Sequence, residues 1–280
     1  MLVIHTLILL LATAAAYSLS RFPKTPKVDG YPAIPVPKKR LVAPGQRATM
    51  HIYDASSMEV MRYAQAHENS TYGQVVIDEA AMQDRRFAVE EVGSRIKVLS
   101  VTPSTHTDKF GGTSGSMMAE VLGVGLLTPT AVLQKMPFMT VEAGDCPLLG
   151  DGVCSVGDEG AAAALSDAAA LCQGLEEVAS FKGALTKESE TKAEGGAWSV
   201  SECVQRVLEL RDCEGAGDGT RVLLSALAAT AYLPEDVRFD AMQRAARGEG
   251  AAAVELVAAA LDEESRRRLA LKALSGLGGE

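Results

Sequence analysis

The first half of the chain contains short apolar runs separated by glycine and proline, a pattern typical of β-strands joined by tight loops. Between the second and third runs, Met58 and Met61 follow helical spacing, which predicts one short helix over residues 56–67. Many closely spaced strands with one short helix favour a small barrel or a folded sheet. The predicted strands cover residues 33–36, 48–53, 72–77, 87–92, 95–102, 116–125, 127–135 and 140–143.

The pattern changes near Asp151, where the sequence becomes rich in alanine, leucine and glutamate and loses its two-residue alternation. We therefore expect an α+β fold, with a β-rich subdomain over residues 31–150 and an α-helical bundle over residues 151–280. Pro234 followed by two acids favours a helix start, and the polar segment 182–196 predicts a flexible loop. The predicted helices cover residues 158–175, 199–211, 219–231, 234–246, 248–260 and 262–274.

Glycines in the first half predict specific backbone features. Pro44 and Gly45 predict a tight turn, because proline fixes φ and glycine accepts a positive φ. Gly73 predicts a bulge or a close backbone approach. Gly93 predicts a sharp reversal between two strands.

The first thirty residues are typical of a targeting sequence. Residues 1–16 are an apolar run that ends in small residues, with Ala14 and Ala16 at the positions that signal peptidase recognises. They predict a signal peptide, and a membrane anchor is the alternative. The segment 17–28 has three cations, several hydroxyls and no acid, so residues 17–30 are transit-peptide-like. The combination is similar to the bipartite presequences of algae with secondary plastids. It predicts a plastid (chloroplast) location without stable membrane insertion after processing, and the secretory pathway is the alternative.

Charge is distributed unevenly along the chain, whose net charge is −9. Residues 17–50 contain seven Lys or Arg against the single acid Asp29, a net +6, so residues 51–280 carry −15. Such an acidic body repels a phosphate backbone, and one tryptophan among few aromatic residues supplies little base stacking. We therefore expect no nucleic-acid partner.

The cysteines do not form a disulfide framework, because they are sparse and odd in number. We expect most of them to be reduced thiols that behave as small apolar residues. A redox-sensitive pair of Cys203 and Cys213 is the alternative, but ten residues of helix separate two side chains by about 15 Å. The cysteines are Cys146, Cys154, Cys172, Cys203 and Cys213.

No motif in the sequence predicts catalysis, a cofactor or a metal site. The glycine-rich segment 111–116 lacks the lysine of a phosphate-binding loop, so we expect a flexible hairpin tip there. Ser114 is not in a nucleophile elbow, because a serine stands at position 116. His51, His67 and His106 have no regular ligand spacing, although His51 is expected on a strand face. The sequence therefore predicts a protein that is not an enzyme.

Several segments, taken in order, resemble the N-terminal, substrate-binding domain of Lon proteases. The first are IPVP, LVAPG and MHIYD at residues 34–37, 41–45 and 50–54, followed by YGQVVI at 72–77 and EVGSRIKVL at 91–99. The hairpin before PFMTVE and the leucine-rich helix that ends at Leu233-Pro234 are similar to later parts of the family. The resemblance extends from about residue 31 to 274, without the ATPase and protease domains that follow in Lon proteins.

The resemblance implies a PUA-like β-subdomain followed by helices, and a non-catalytic module that binds other proteins or unfolded polypeptide segments, here in plastid protein quality control. The candidate contacts are Met58, Met61, Met117 and Met118, because flexible methionines suit varied partners; filling the core is the alternative interpretation of these residues. Two further functions stay open: a structural or assembly factor with one dedicated protein partner, and an enzyme with an unrecognised site.

Overall fold

The computed structural model describes residues 28–78, 81, 88–107, 110–145, 200–211 and 218–277. The strands are β1 (Tyr31–Val36), β2 (Arg47–Ile52), β3 (Thr71–Ile77), β4 (Val89–Thr107), β5 (Thr113–Gln134) and β6 (Met139–Asp145). The α-helices are α1 (Ala55–His67), α2 (Val200–Leu210), α3 (Asp218–Ala229), α4 (Glu235–Ala246) and α5 (Gly250–Leu277). Short 3-10 helices occupy Lys38–Arg40 and Thr230–Tyr232.

The strands form one six-stranded sheet in the order β2-β5-β4-β3-β1-β6. Strand β6 also pairs with β5, so β1, β3, β4, β5 and β6 are connected in a cycle, and β2 joins it only through β5. Among these pairs only β1–β3 is parallel. The structure confirms the mixed α+β class, with a six-stranded sheet and helices in the C-terminal part.

Strands β4 and β5 are longer than the sequence predicts, because each covers two of the predicted strands. The expected reversal at Gly93 is wrong, since Gly93 lies inside β4 and pairs with Val75 and Leu127 on its two sides. A Cβ at this position would lie 2.4 Å from the carbonyl oxygen of Gln74. Glycine is therefore used here to let β3 approach, rather than to turn the chain.

The other two glycine predictions concern Gly45 and Gly73. Gly45 has φ +77°, so it supplies the positive φ of the predicted tight turn after Pro44. A Cβ on Gly73 would lie 2.8 Å from Cδ2 of Leu127, which shows that the close approach there is made by a side chain. The irregularity of the β3–β4 pairing lies instead between Val75 and Ile77.

Local signals account for two helix starts. The Asp54 carboxylate accepts a hydrogen bond from the Ser57 N–H at 2.8 Å and caps α1, and Pro234 precedes α4 as predicted. The expected break between residues 260 and 262 is wrong: α5 is continuous, because the residues there, Ala260, Leu261 and Asp262, include no helix breaker. The boundary at Asp151, the helix over 158–175 and the loop over 182–196 lie outside the described residues.

One hydrophobic core joins the sheet to the C-terminal helices. Its buried members include Ile34 and Leu126 from the sheet and Leu227, Phe239 and Val257 from α3, α4 and α5. A second cluster packs α2 against β5, and a third lies between the five strands of the cycle. Within the part of the chain described, no helix combines the length and apolar character needed to span a membrane.

Candidate functional site: a groove along the free edge of β2

Strand β2 lies at one end of the sheet order, and a groove of about 400 Å³ runs beside it. The opposite wall is the segment 39–42, which follows β1, together with Arg238 from α4. Within the described chain, β2 pairs with β5 alone, so its other edge faces the groove. On this edge, the groove is lined by Thr49, Met50, His51 and Tyr53, among other residues.

The register of β2 fixes which backbone groups face the groove. The Gly123 N–H donates to the Gln46 carbonyl at 3.0 Å, so this pair starts the hydrogen-bonded series between β5 and β2. Because hydrogen-bonded residues alternate in an antiparallel ladder, the N–H and C=O groups of Thr49 and His51 point away from β5. Burial raises the pKa of Cys203 in α2, and the nearby Arg47 backbone opposes this shift, so α2 lies against Arg47 and the open part of the edge begins after it.

Arg238 holds the opposite wall in place. Its Nη1 donates to the carbonyl oxygen of Leu41 at 3.0 Å and to that of Lys39 at 3.4 Å. Its Nε donates to the carbonyl of Thr230 at 3.4 Å, so one guanidinium ties α4 to both segments. Burial lowers the pKa of Arg238. Through its three hydrogen bonds, the Arg238 side chain holds the wall in place.

The floor of the groove is held by buried polar side chains. The Gln74 carbonyl oxygen accepts from the Val42 N–H at 2.9 Å, and its amide nitrogen donates to the Met50 sulfur at 3.3 Å. The Tyr72 hydroxyl donates to the same sulfur at 3.4 Å. Burial raises the pKa of Tyr72, which keeps the hydroxyl protonated and able to donate. The network fixes Met50 between the sheet and the wall.

The wall of the groove carries two exposed cations. Lys39 and Arg40 are exposed and form no ion pair within the described chain. Lys38, by contrast, pairs with Glu90 at 3.3 Å and lies 4.5 Å from the centre of the Phe239 ring. The groove is therefore a local positive site on a protein whose net charge is −9.

An aromatic cluster stands on the outer face of the sheet at the end of the groove. The rings of Tyr53 and His106 stack at 4.4 Å, and the His51 ring meets them at 5.9 and 5.6 Å. His51 Nε2 lies 2.7 Å from the Ser116 hydroxyl oxygen, and Ser116 is buried, with 5% of its surface exposed. His51 is thus on a strand face as predicted, whereas His67 is separate and contacts Tyr63.

The described part of this cluster shows neither a metal-ligand set nor a catalytic triad. In the described ranges, no three His, Cys, Asp or Glu side chains stand close enough to hold a metal ion. Ser116 and His51 are at the distance of a nucleophile and a base, but the serine is buried and no carboxylate bonded to the imidazole is found among the described residues. The hydrogen bond satisfies a buried hydroxyl. Ser114 lies in β5, so the predicted hairpin tip is shorter than residues 111–116.

The structure places the candidate methionines in different environments. Met61 is fully buried in the core, so its predicted role as a surface contact gives way to the alternative, core filling. Met58 and Met117 are half-buried and pack against the same core. Met118 is half-buried and lies opposite His51 in the β2–β5 register. Only the last three offer surface to a partner, and their role in binding stays a prediction.

Sequence reasoning missed the cations of the groove wall. The signal was the run of three cations at Lys38–Arg40, between two predicted strands of a chain that is acidic beyond residue 50. The run contributes to the net charge of +6 over residues 17–50. Arg238 carried no comparable signal, because its partners in the wall are about 200 residues away along the chain.

Comparison with known proteins gives matches in structure alone. No protein-family model matches the chain, and no curated protein matches it. One similar solved structure is the N-terminal domain of the Lon protease of the Mycobacterium avium complex, with 14% identity and a TM-score of 0.45; the match covers 83% of this chain and 97% of that one. Another is a Lon N-terminal domain protein from Xanthomonas campestris, with 12% identity and a TM-score of 0.30; the chain spans 60% of that protein, and the match covers 42% of the chain. Both are Lon N-terminal domains, the family that the order of the sequence motifs resembles.

Proposed function

We propose that this chain is a non-catalytic module that binds polypeptide segments of other proteins, in plastid protein quality control. The observation that carries the proposal is the edge of β2, where backbone groups without a strand partner and two cations without an ion pair among the described residues line one groove. A groove with an apolar floor and polar groups at its walls is the usual form of a recognition site. The half-buried Met58, Met117 and Met118 do not line this groove, and in this proposal they offer a separate, adaptable apolar surface.

The family resemblance supports the same class of function. The motifs from residue 34 to residue 142 occur in the order of the Lon substrate-binding domain, whose resemblance also implies the PUA-like type of β-subdomain. The proposed plastid location rests on the sequence of residues 1–30 alone, of which 1–27 lie outside the described residues. Sequencing the N-terminus of the native protein from isolated plastids tests the location independently of binding.

Binding to an unfolded polypeptide tests the proposed function directly. A fluorescent, reduced and carboxymethylated protein, which cannot refold, is titrated with the purified chain, and the folded parent of the same protein is the control. We expect saturable binding of the unfolded form and none of the folded form. No binding of the unfolded form, or equal binding of both, would contradict the proposal.

A dedicated assembly factor is the alternative within the same class. Affinity purification from isolated plastids separates the two, since a recognition module recovers many proteins and an assembly factor recovers one in stoichiometric amount.

One observation favours the alternative of an enzyme, the hydrogen bond between Ser116 and His51. A fluorophosphonate probe tests it, because such probes label only activated serines. We expect no labelling of the folded chain, and labelling that disappears in Ser116→Ala would establish a hydrolase. A casein assay with and without ATP completes this test.

A further inference from the structure

We infer that the groove binds its partner by strand addition: an extended, acidic peptide segment pairs with the free edge of β2 as an additional strand. The inference rests on the proposed function and specifies its ligand class. Extended peptides that add to a sheet edge gain affinity from backbone hydrogen bonds and specificity from alternate side chains. The open edge of β2, the charge of the wall and the apolar floor each support this mode.

The edge supplies backbone groups in the spacing that a strand requires. The N–H and C=O groups of Thr49 and His51 face the groove, and these residues are two apart, as alternate positions of one strand edge must be. At one end, α2 covers the backbone of Arg47 through Cys203. From there to Tyr53 the groove accommodates roughly five extended residues, about 17 Å. The ligand is therefore a short linear segment.

The wall selects the charge of that segment. Lys39 and Arg40 stand across the groove from β2, and neither has an ion-pair partner in the described part of the chain. A strand laid along β2 would pass beside both cations, so carboxylates at its alternate positions would compensate them. A basic or neutral strand would leave the cations uncompensated.

The floor and the outer face select the remaining side chains. Met50 and Leu41 line the groove with apolar surface, and His51 and Tyr53, whose rings contact each other, line its outer end. Because side chains of a strand alternate between faces, the ligand presents apolar residues at every second position. An alternating acidic and β-branched sequence meets both requirements.

A second copy of this chain fits the edge less well. Pairing of two β2 edges about a two-fold axis would bring Lys39 and Arg40 of both copies to the same interface. Like charges at close approach disfavour that arrangement. The acidic peptide of a different protein removes this repulsion.

The first experiment uses a fluorescent ten-residue peptide of alternating valine and glutamate, titrated with the full chain and followed by anisotropy. Two isomers are then compared, one N-methylated on every valine and the other on every glutamate. In a strand bound by one edge, only alternate N–H groups face β2, so one isomer should lose at least about tenfold in affinity and the other should stay close to the parent. Equal effects of the two isomers, in either direction, overturn the inference.

The second experiment reverses the charge of the wall. In Lys39→Glu/Arg40→Glu the peptide affinity should fall about tenfold or more at low salt, and less as salt is added. Arg266→Glu/Arg267→Glu changes the net charge equally on an exposed part of α5 that does not line the groove, and should bind like the parent. Equal losses in both double variants would show a general charge effect and overturn the inference.

The two proposals fail separately. Binding of the unfolded carboxymethylated protein with no binding of the peptide leaves the protein-binding function in place and removes strand addition. A dimer that must dissociate before the peptide binds, detected by sedimentation, would identify a second copy as the occupant of the groove. That result would also overturn the inference of an acidic peptide ligand. Failure of both ligands removes both proposals.

Discussion

Gly123→Ala tests the contact that places the groove wall against the sheet. Gly123 lies in β5 under the turn at Pro44 and Gly45, and the two segments form a bridge. The Gly45 N–H donates to the Gly123 carbonyl at 2.8 Å, and the Gly123 N–H donates to the Gln46 carbonyl at 3.0 Å. An added Cβ would lie 2.1 Å from the Ala43 carbonyl oxygen and 2.7 Å from its carbon. The backbone must therefore move apart.

The cost follows from these contacts. Separation of the segments to ordinary contact distance breaks two hydrogen bonds, each worth roughly 1 kcal/mol. Overpacking against backbone atoms, which cannot rotate away, adds about 1 kcal/mol or more. We expect Gly123→Ala to lower the free energy of unfolding by about 3 kcal/mol. Peptide affinity should fall with it, because the displaced segment leads into β2.

Gly125→Ala is the matched control, in the same strand two residues away. Its added Cβ would meet Cβ of Arg95 at 3.9 Å, an ordinary contact, so the free energy of unfolding should change by no more than about 0.5 kcal/mol. Both variants are measured by urea denaturation followed by circular dichroism, with unchanged m values as the condition for comparing them. Equal losses of stability in the two variants would refute the reasoning.

Three further measurements test other contacts. Burial raises the pKa of Cys203, so at pH 8 this thiol holds less thiolate in the folded chain than in the unfolded chain. Alkylation of Cys203, measured by peptide mapping, should therefore be slower in the folded chain than in the unfolded chain. Equal rates would contradict its burial. Arg238→Leu should lower the free energy of unfolding, measured by urea denaturation, by about 2 kcal/mol, because it removes charged donors to three carbonyls. The control Arg247→Leu, at an exposed position, should change it by less than about 0.5 kcal/mol. Similar losses in both variants would refute the bracing role of Arg238. A double-mutant cycle on Arg47 and Glu120, joined at 2.8 Å, should give a coupling of about 1 kcal/mol that falls with added salt, and no coupling would show that the pair is not formed in solution.

The features that could be predicted from sequence depend on local chemistry. The turn at Gly45 and the helix start after Pro234 need only the φ preferences of those residues, and both occur. The existence of most strands followed from short apolar runs between turn residues. Neighbours in sequence suffice for these features.

The features that were wrong or missed depend on distant contacts. Gly93 serves the approach of Gln74 from another strand, so its role cannot be derived from residues beside it. Met61 and Met58 have similar sequence surroundings, yet packing buries only Met61 completely. The wall of the groove is held by Arg238, which donates to the carbonyl of Leu41, 197 residues earlier. The local sequence pattern around either residue therefore does not predict this contact.

The hydrophobic core shared by the sheet and the C-terminal helices has a consequence for synthesis on the ribosome. Apolar positions of the sheet such as Ile34 and Leu126 pack in a cluster with Leu227, Phe239 and Val257. Translation completes β6 at Asp145, and α3 begins only at Asp218. While the intervening residues are made, the nascent sheet presents uncovered apolar surface that a chaperone can hold. Completion of this core therefore waits for the synthesis of residues 218–277.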